Sequence, residues 1–151
     1  MNEASAADLM REARGLSAEF DKLSQAVAQH AGLSPIELLA MDLISRGQPV
    51  TAGFLAKELR LTTGGVTGLI DRLERAGFAK RAADPNDRRR VVVQPTAKEQ
   101  RIGALYRPLD ASLKRALEGY SQHDLATLTD FVRKLRLAVA GTVQGLTQKT
   151  K

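Results

Sequence analysis

The chain has no cysteine, no tryptophan and only two histidines in 151 residues. Without cysteine there is no disulfide, no thiolate metal site and no thiol-based redox sensing. His30 and His123 stand far apart without ligand-spaced companions, so neither a metal nor any other cofactor is expected. No nucleophile, base and orienting group cluster in the sequence, which argues against an enzyme. Aromatic residues make up 4% of the chain, too few for a flat base-stacking platform. No apolar run approaches the roughly 18 residues that a membrane helix needs. The opening "MNEASAADLM" lacks the basic and apolar regions of a secretory signal, so a cytoplasmic location is expected.

What is present is enough for a core: 43% hydrophobic and 26% charged residues, in a length that suits one domain. The net charge of +6 is unevenly placed. Residues 1–52 carry 4 Lys/Arg against 7 Asp/Glu, residues 53–101 carry 11 against 6, and residues 102–151 carry 8 against 4. A basic middle after an acidic arm suggests a polyanion facing one region, although a merely solvated basic face has the same composition.

Periodicity divides the chain. Leu9, Ala13, Leu16, Phe20, Leu23 and Val27 form a narrow helical seam, with His30 next in register and Gly32 ending the helix. Ser34, Pro35 and Glu37 spell a capping box and open a second helix, with Leu38, Leu39 and Leu43 on its apolar side. A short third helix follows Thr51, with Leu55, Ala56 and Leu59 inward. After a turn at Arg60 and Leu61, Val66, Leu69, Ile70 and Leu73 make one face of a fourth helix, capped by Thr62 or Thr63 and ended by Gly77. Residues 78–83 and 90–94 then read as two strands around the turn-forming "DPNDRR". Thr96 and Glu99 suggest a further capping box, and Pro108 predicts a kink or break near residues 104–108. Ser121 and Asp124 open a last helix, with Leu125, Leu128, Val132, Leu135 and Val139 in a second narrow seam.

Helix, helix, reading helix and two-stranded hairpin is the order of a winged helix-turn-helix. The expected fold is mainly α with a small β-hairpin wing: a winged lobe over residues 33–97, a helical dimerisation region over 1–32 and 98–145, and a polar tail at 146–151. The segment "LTTGGVTGLIDRLERAGFAKR", followed by "DPNDRRRVVVQPT", resembles the bacterial MarR family of transcription regulators. The likeness is most specific over residues 51–97, and its distinctive part is the aspartate–arginine wing. Glu99 departs from a glycine often found there, which is expected to affect only the start of the following helix.

The resemblance implies a homodimer with interlocked terminal helices, probing double-stranded DNA with recognition helices in successive major grooves and wings in flanking minor grooves. It implies a repressor on a pseudo-palindromic operator. The two seams fit a dimer independently, since they carry more apolar surface than one small lobe covers; an intramolecular bundle is the alternative. A second class of function is a winged helix that uses its basic face for an acidic protein partner.

Gly64, Gly65 and Gly68 lie outside the inward face of the fourth helix. A phosphate loop needs Lys-Ser or Lys-Thr after the last glycine and a strand before the first, and neither is present. The bare front instead admits close DNA approach, with free N–H groups at the helix start and Thr62, Thr63 and Thr67 alongside. Merely tolerated surface glycines are the alternative. No Arg, Asn or Gln occupies the first two turns, so direct base reading by this helix is expected to be modest. Arg72 is expected on a phosphate, the alternative being a salt bridge to Asp71 or Glu74.

In the wing, Arg88, Arg89 and Arg90 follow Asp87; a solvated charged turn is the bland alternative. The resemblance places the minor-groove arginine at Arg89, braced by Asp87. It also implies a small aromatic or lipophilic effector between dimerisation helices and lobe, for which Arg14, Phe20, His30 and Met41 are candidate lining residues by position. Replacing Arg89 with alanine should weaken binding to every DNA site and lower the salt slope by about one unit, read from binding isotherms across a salt series; an unchanged slope removes Arg89 from the backbone contacts.

Overall fold

A computed structural model of the chain describes residues 5–84, 87 and 89–148. Short-range hydrogen bonds set the helix boundaries. Ser5 and Asp8 form a capping box at the start of α1 (Ala6–Ala31), and Gly32, at φ 69°, closes its end in the left-handed conformation. The Ser34–Glu37 box, with Pro35 in the first position, opens α2 (Pro35–Ile44). Thr51 caps α3 (Ala52–Leu59) through the Phe54 N–H. The turn after α3 is made by Arg60 at φ 54°, a left-handed residue that is not glycine. Thr62 accepts from the Gly65 N–H and starts α4 (Thr63–Arg75), and Gly77 at φ 76° ends it.

The hairpin consists of β1 (Ala79–Ala83) and β2 (Val91–Pro95), antiparallel, with Arg81 opposite Val93. Val50 adds an isolated antiparallel bridge to Val93, whose N–H donates to the Val50 carbonyl at 2.7 Å. This contact, invisible to periodicity, ties the segment before α3 to the wing. Two helices complete the order, α5 (Glu99–Ala116) and α6 (Gln122–Gln148).

The chain forms two compact units whose boundary falls within α5, between Tyr106 and Arg107. The first has a continuous core: Val27 and Ala28 of α1, Leu38, Met41 and Ile44 of α2, Leu55 of α3, the inward face of α4, then Phe78, Val93 and Ile102. All four α4 positions, Val66, Leu69, Ile70 and Leu73, are at most 2% exposed. Lys98 secures the end of α4, donating to the Ala76 carbonyl at 2.6 Å with its ammonium 4.6 Å from the Phe78 ring centre. In the second unit Ser121 and Asp124 form the expected box at the start of α6. None of its described residues is buried, and Leu128, Val132, Val139 and Val143 are exposed.

Several local expectations are corrected. Leu39 is exposed on α2, where Ala40, Met41 and Ile44 complete the buried side instead. The α1 seam is no contradiction of its reading as a helix–helix surface: Val27 is buried and Leu23 half-buried within the first unit, while Leu9, Leu16 and Phe20 are exposed on the single chain. No Thr96–Glu99 box forms. The Thr96 N–H already donates to Phe78, and its hydroxyl donates to Gly77 while accepting from the Lys98 N–H. Of the kink or break expected near residues 104–108, the break does not occur: α5 continues through Pro108, where the missing N–H removes one bond, to the Ala104 carbonyl, between runs of good helix formers. The last helix extends to Gln148, into the segment expected to be a polar tail; residues 149–151 lie outside the described residues.

Replacing Leu69 with alanine should lower unfolding stability by about 2–5 kcal/mol, because this fully buried side chain leaves a cavity that cannot collapse completely. Urea titration followed by circular dichroism measures it, and a change below about 1 kcal/mol would contradict the packing of α4.

Candidate nucleic-acid interface

Amphipathicity orients α4. With Val66, Leu69, Ile70 and Leu73 in the core, Thr63, Gly64, Gly65 and Thr67 are exposed and Gly68 is half-exposed. The Thr62 hydroxyl takes the Gly65 N–H at 3.1 Å, which leaves Thr63 and Gly64 with N–H groups that have no intrahelical acceptor. Such groups at a helix start suit a phosphate. The glycines are not equivalent. A Cβ at Gly64 would meet nothing within 4 Å, whereas one at Gly65 would come within 3.3 Å of the Thr62 capping oxygen. Beside Gly68 a Cβ would lie 3.5 Å from Nη1 of Arg72. The Thr67 hydroxyl donates back to the Thr63 carbonyl at 2.9 Å, so its acceptor side is what faces outward chemistry.

Arg72 has a partner that sequence spacing did not suggest. Its Nε donates to Oε1 of Glu37 at 2.6 Å, across 35 residues. Asp71 and Glu74, the expected neighbours, instead bind Arg81 of β1, with Asp71 at 2.7 Å and Glu74 also accepting the Arg81 N–H at 2.7 Å. The Asp71 hydrogen bond, joined by the charges of Glu74 and Asp71, raises the Arg81 guanidinium above its ordinary pKa against the opposing effect of burial. Glu37 is buried and uses both oxygens, since Oε2 takes the Ser34 N–H at 2.8 Å. Burial pushes its carboxyl upward, but the Ser34 amide, Arg72 and the Ser34 hydroxyl together outweigh that and hold it below the ordinary range. Arg72 remains half exposed, with its Nη groups beside the glycine front.

At the wing, Asp84 is buried, and its N–H donates to the Arg90 carbonyl at 2.8 Å. Its carboxylate stands 3.8 Å from the Arg90 guanidinium, which therefore has an internal counter-charge. Asp87 does brace the next-but-one residue, but the bond shown runs from the Arg89 backbone N–H to Oδ1 at 3.0 Å, not from the guanidinium. Asp87, Arg89 and Arg90 are exposed, and Arg88 lies outside the described residues. The lobe thus places the α4 front and the wing arginines on one set of packed elements, α3, α4, β1 and β2.

Residues 31–90 match the model of the MarR family. An HTH-type transcriptional regulator of Bacillus subtilis, YcgE, is 46% identical over 111 residues, covering 73% of this chain and 72% of that protein. The chain belongs to the MarR family. As a MarR-family protein it is a DNA-binding, winged-helix transcriptional regulator and not an enzyme. A MarR family protein from Bacillus stearothermophilus shares the fold with a TM-score of 0.67 at 23% identity, over 93% of this chain and 99% of that one. Streptococcus pneumoniae FabT, solved in complex with DNA, is 26% identical with a TM-score of 0.62, over 89% of this chain and 99% of FabT.

The first unit of this MarR-family chain also contains a cavity of about 650 Å³ between α1, α2 and the start of α5. Phe20 and Met41 line it; Arg14 and His30 do not. His30 is exposed, its Nδ1 3.1 Å from the Ala26 carbonyl, one turn back on its own helix. Glu99, expected to matter only for the start of its helix, lines the cavity with Asp42 and Tyr106. Glu99 and Tyr106 share one face of α5 at i and i+7, but Asp42 lies more than fifty residues from either, a separation that gave no local signal. Among the described residues no group of three or more His, Asp or Glu could hold a metal, and no helix is long and apolar enough to cross a membrane.

The Glu37 network makes a pH prediction. A carboxyl depressed in the folded state stabilises fully above its unfolded value, here 4.5, and that contribution is lost as pH falls through the folded value. The stability advantage of the protein over its Glu37→Gln variant should therefore be constant above pH 4.5 and shrink below it, in urea midpoints from pH 7 to 3. An advantage that grows on acidification would contradict the assignment.

Proposed function

We propose that the protein is a repressor that binds a pseudo-palindromic operator in double-stranded DNA as a homodimer and is released by a small molecule. The observation that carries this is the front of α4: four buried apolar residues behind, and ahead a surface of small residues only, Thr62, Thr63, Gly64, Gly65, Thr67 and Gly68. Residues 33–97 serve as the DNA-binding lobe in this reading, with Thr62, Thr63, Gly64, Gly65, Thr67, Gly68 and Arg72 in the major groove and Asp87, Arg88, Arg89 and Arg90 at the minor groove. FabT, whose structure was solved with DNA, supports it through the shared fold.

Residues 1–32 and 98–145 form the dimerisation region. Support comes from apolar side chains exposed on the single chain: Leu9 and Leu16 on α1, and Leu128, Val132 and Val139 on α6. A second copy is the covering partner, and the working location is the cytoplasm. The effector occupies the cavity beside Phe20 and Met41.

Gel-shift titration against the DNA upstream of the gene, across a salt series, tests the reading with wild type and Gly64→Ala. Alanine at this open helical position should leave folding intact, yet place a methyl where DNA approaches. Affinity should fall about tenfold or more, within the 1–3 kcal/mol that one spoiled base contact costs. Retardation that is absent or indifferent to salt would sink the proposal, and so would a sedimentation mass equal to the 16.4 kDa protomer instead of twice that.

A further inference from the structure

The cavity of the first unit has a chemistry of its own. Its volume of about 650 Å³ lies within the 300–1,000 Å³ usual for pockets that enclose small organic molecules. Leu38, Met41 and Ile102 give it an apolar body. Two aromatic rings, Phe20 from α1 and Tyr106 from α5, line it from different helices. The charged side chains in the lining are both carboxylates, Asp42 of α2 and Glu99 of α5, and no Lys, Arg or His is among them.

The two carboxylates differ in their partners. Asp42 meets Arg46 at 2.5 Å on the exposed side of α2, so its charge is partly answered. Glu99 is half-buried and has no ion-pair partner among the described residues. It is also the first residue of α5, where the positive end of the helix dipole favours a negative charge. An aromatic acid entering here would exchange water for two like charges with no basic group to receive it. An aromatic cation would meet a carboxylate and two aromatic side chains, groups of the kind that hold ammonium ions in proteins.

We propose that this cavity binds an apolar organic cation, an aromatic amine or quaternary ammonium, with Glu99 as principal counter-charge, Asp42 as second, and Phe20 and Tyr106 as the ring faces. The consequence for DNA rests on the effector reading above; the charge preference does not.

Three probes that share one fluorescent ring separate the possibilities: 1-naphthylmethylammonium, 1-naphthalenemethanol and 1-naphthoate. Each is titrated into the full-length DNA-free protein by calorimetry and fluorescence. The cation should bind about tenfold more tightly than the naphthoate, with the alcohol between. Glu99→Gln should bring the cation close to the alcohol while the alcohol's own affinity stays unchanged, which shows that the cavity is still formed. Asp42→Asn should do the same to a smaller degree. Equal binding of all three, binding of none, preference for naphthoate, or a cation preference indifferent to both variants would each overturn the proposal. Adding the probes to the protein–DNA complex separates the two readings. A cation that binds through Glu99 without releasing DNA defeats the effector reading and leaves the charge preference standing. Release by naphthoate with no cation preference does the reverse.

Discussion

Burial of one stripe of α4 is the interaction on which the exposed front of that helix depends. Val66, Leu69, Ile70 and Leu73 are inaccessible to water, and each such side chain contributes about 1.5–3 kcal/mol when removed from it. Holding the helix entirely from behind frees its front from any packing duty. Gly64 and its neighbours can then lack side chains although glycine is a poor helix former, costing about 1 kcal/mol per interior position. The front is bare because the back is strong.

Ion pairs then fix how that helix sits among its neighbours. Glu37 closes the first turn of α2 with one oxygen and holds Arg72 of α4 with the other. Arg81 of β1 gathers Asp71 and Glu74 from the side of α4 nearest the wing. Asp84 does the same for Arg90 at the base of the hairpin. These carboxylates have a common effect: they neutralise part of the basic charge that the middle of the chain displays. The charge presented to a polyanion is therefore smaller than the residue count suggests, and the exposed Arg89 and the Nη groups of Arg72 acquire more weight within it. Buried or half-buried pairs of this kind are weak as sources of stability but effective at fixing geometry, since breaking one leaves a charge without a partner.

Charge also separates the two faces of the first unit. The wing and the front of α4 are cationic or neutral and small; the cavity beside α1 and α2 is apolar with two carboxylates.

The elements of this fold were legible wherever the signal was local. Ser34 with Glu37, Thr62 before α4, Ser121 with Asp124, and the glycines at 32 and 77 act within three or four residues, so their pattern in the sequence is already the hydrogen bond they make. The i, i+3, i+4 spacing of α4 likewise determined which side is buried, and with it the bare front, while the wing sequence and its neighbours determined the family. Thr96 shows the limit of such rules: its N–H and hydroxyl donate to the Phe78 and Gly77 carbonyls and its hydroxyl oxygen accepts from the Lys98 N–H, which leaves nothing for a local box. The partners of Arg72, Arg81 and Arg90, the bridge from Val50 to Val93 and the meeting of Phe20, Asp42, Glu99 and Tyr106 were decided only by tertiary structure. Apart from Glu99 and Tyr106, one α5 face at i and i+7, each joins residues whose separation along the chain carries no period. A charged side chain can choose among many partners until packing brings one carboxylate within reach and removes the others.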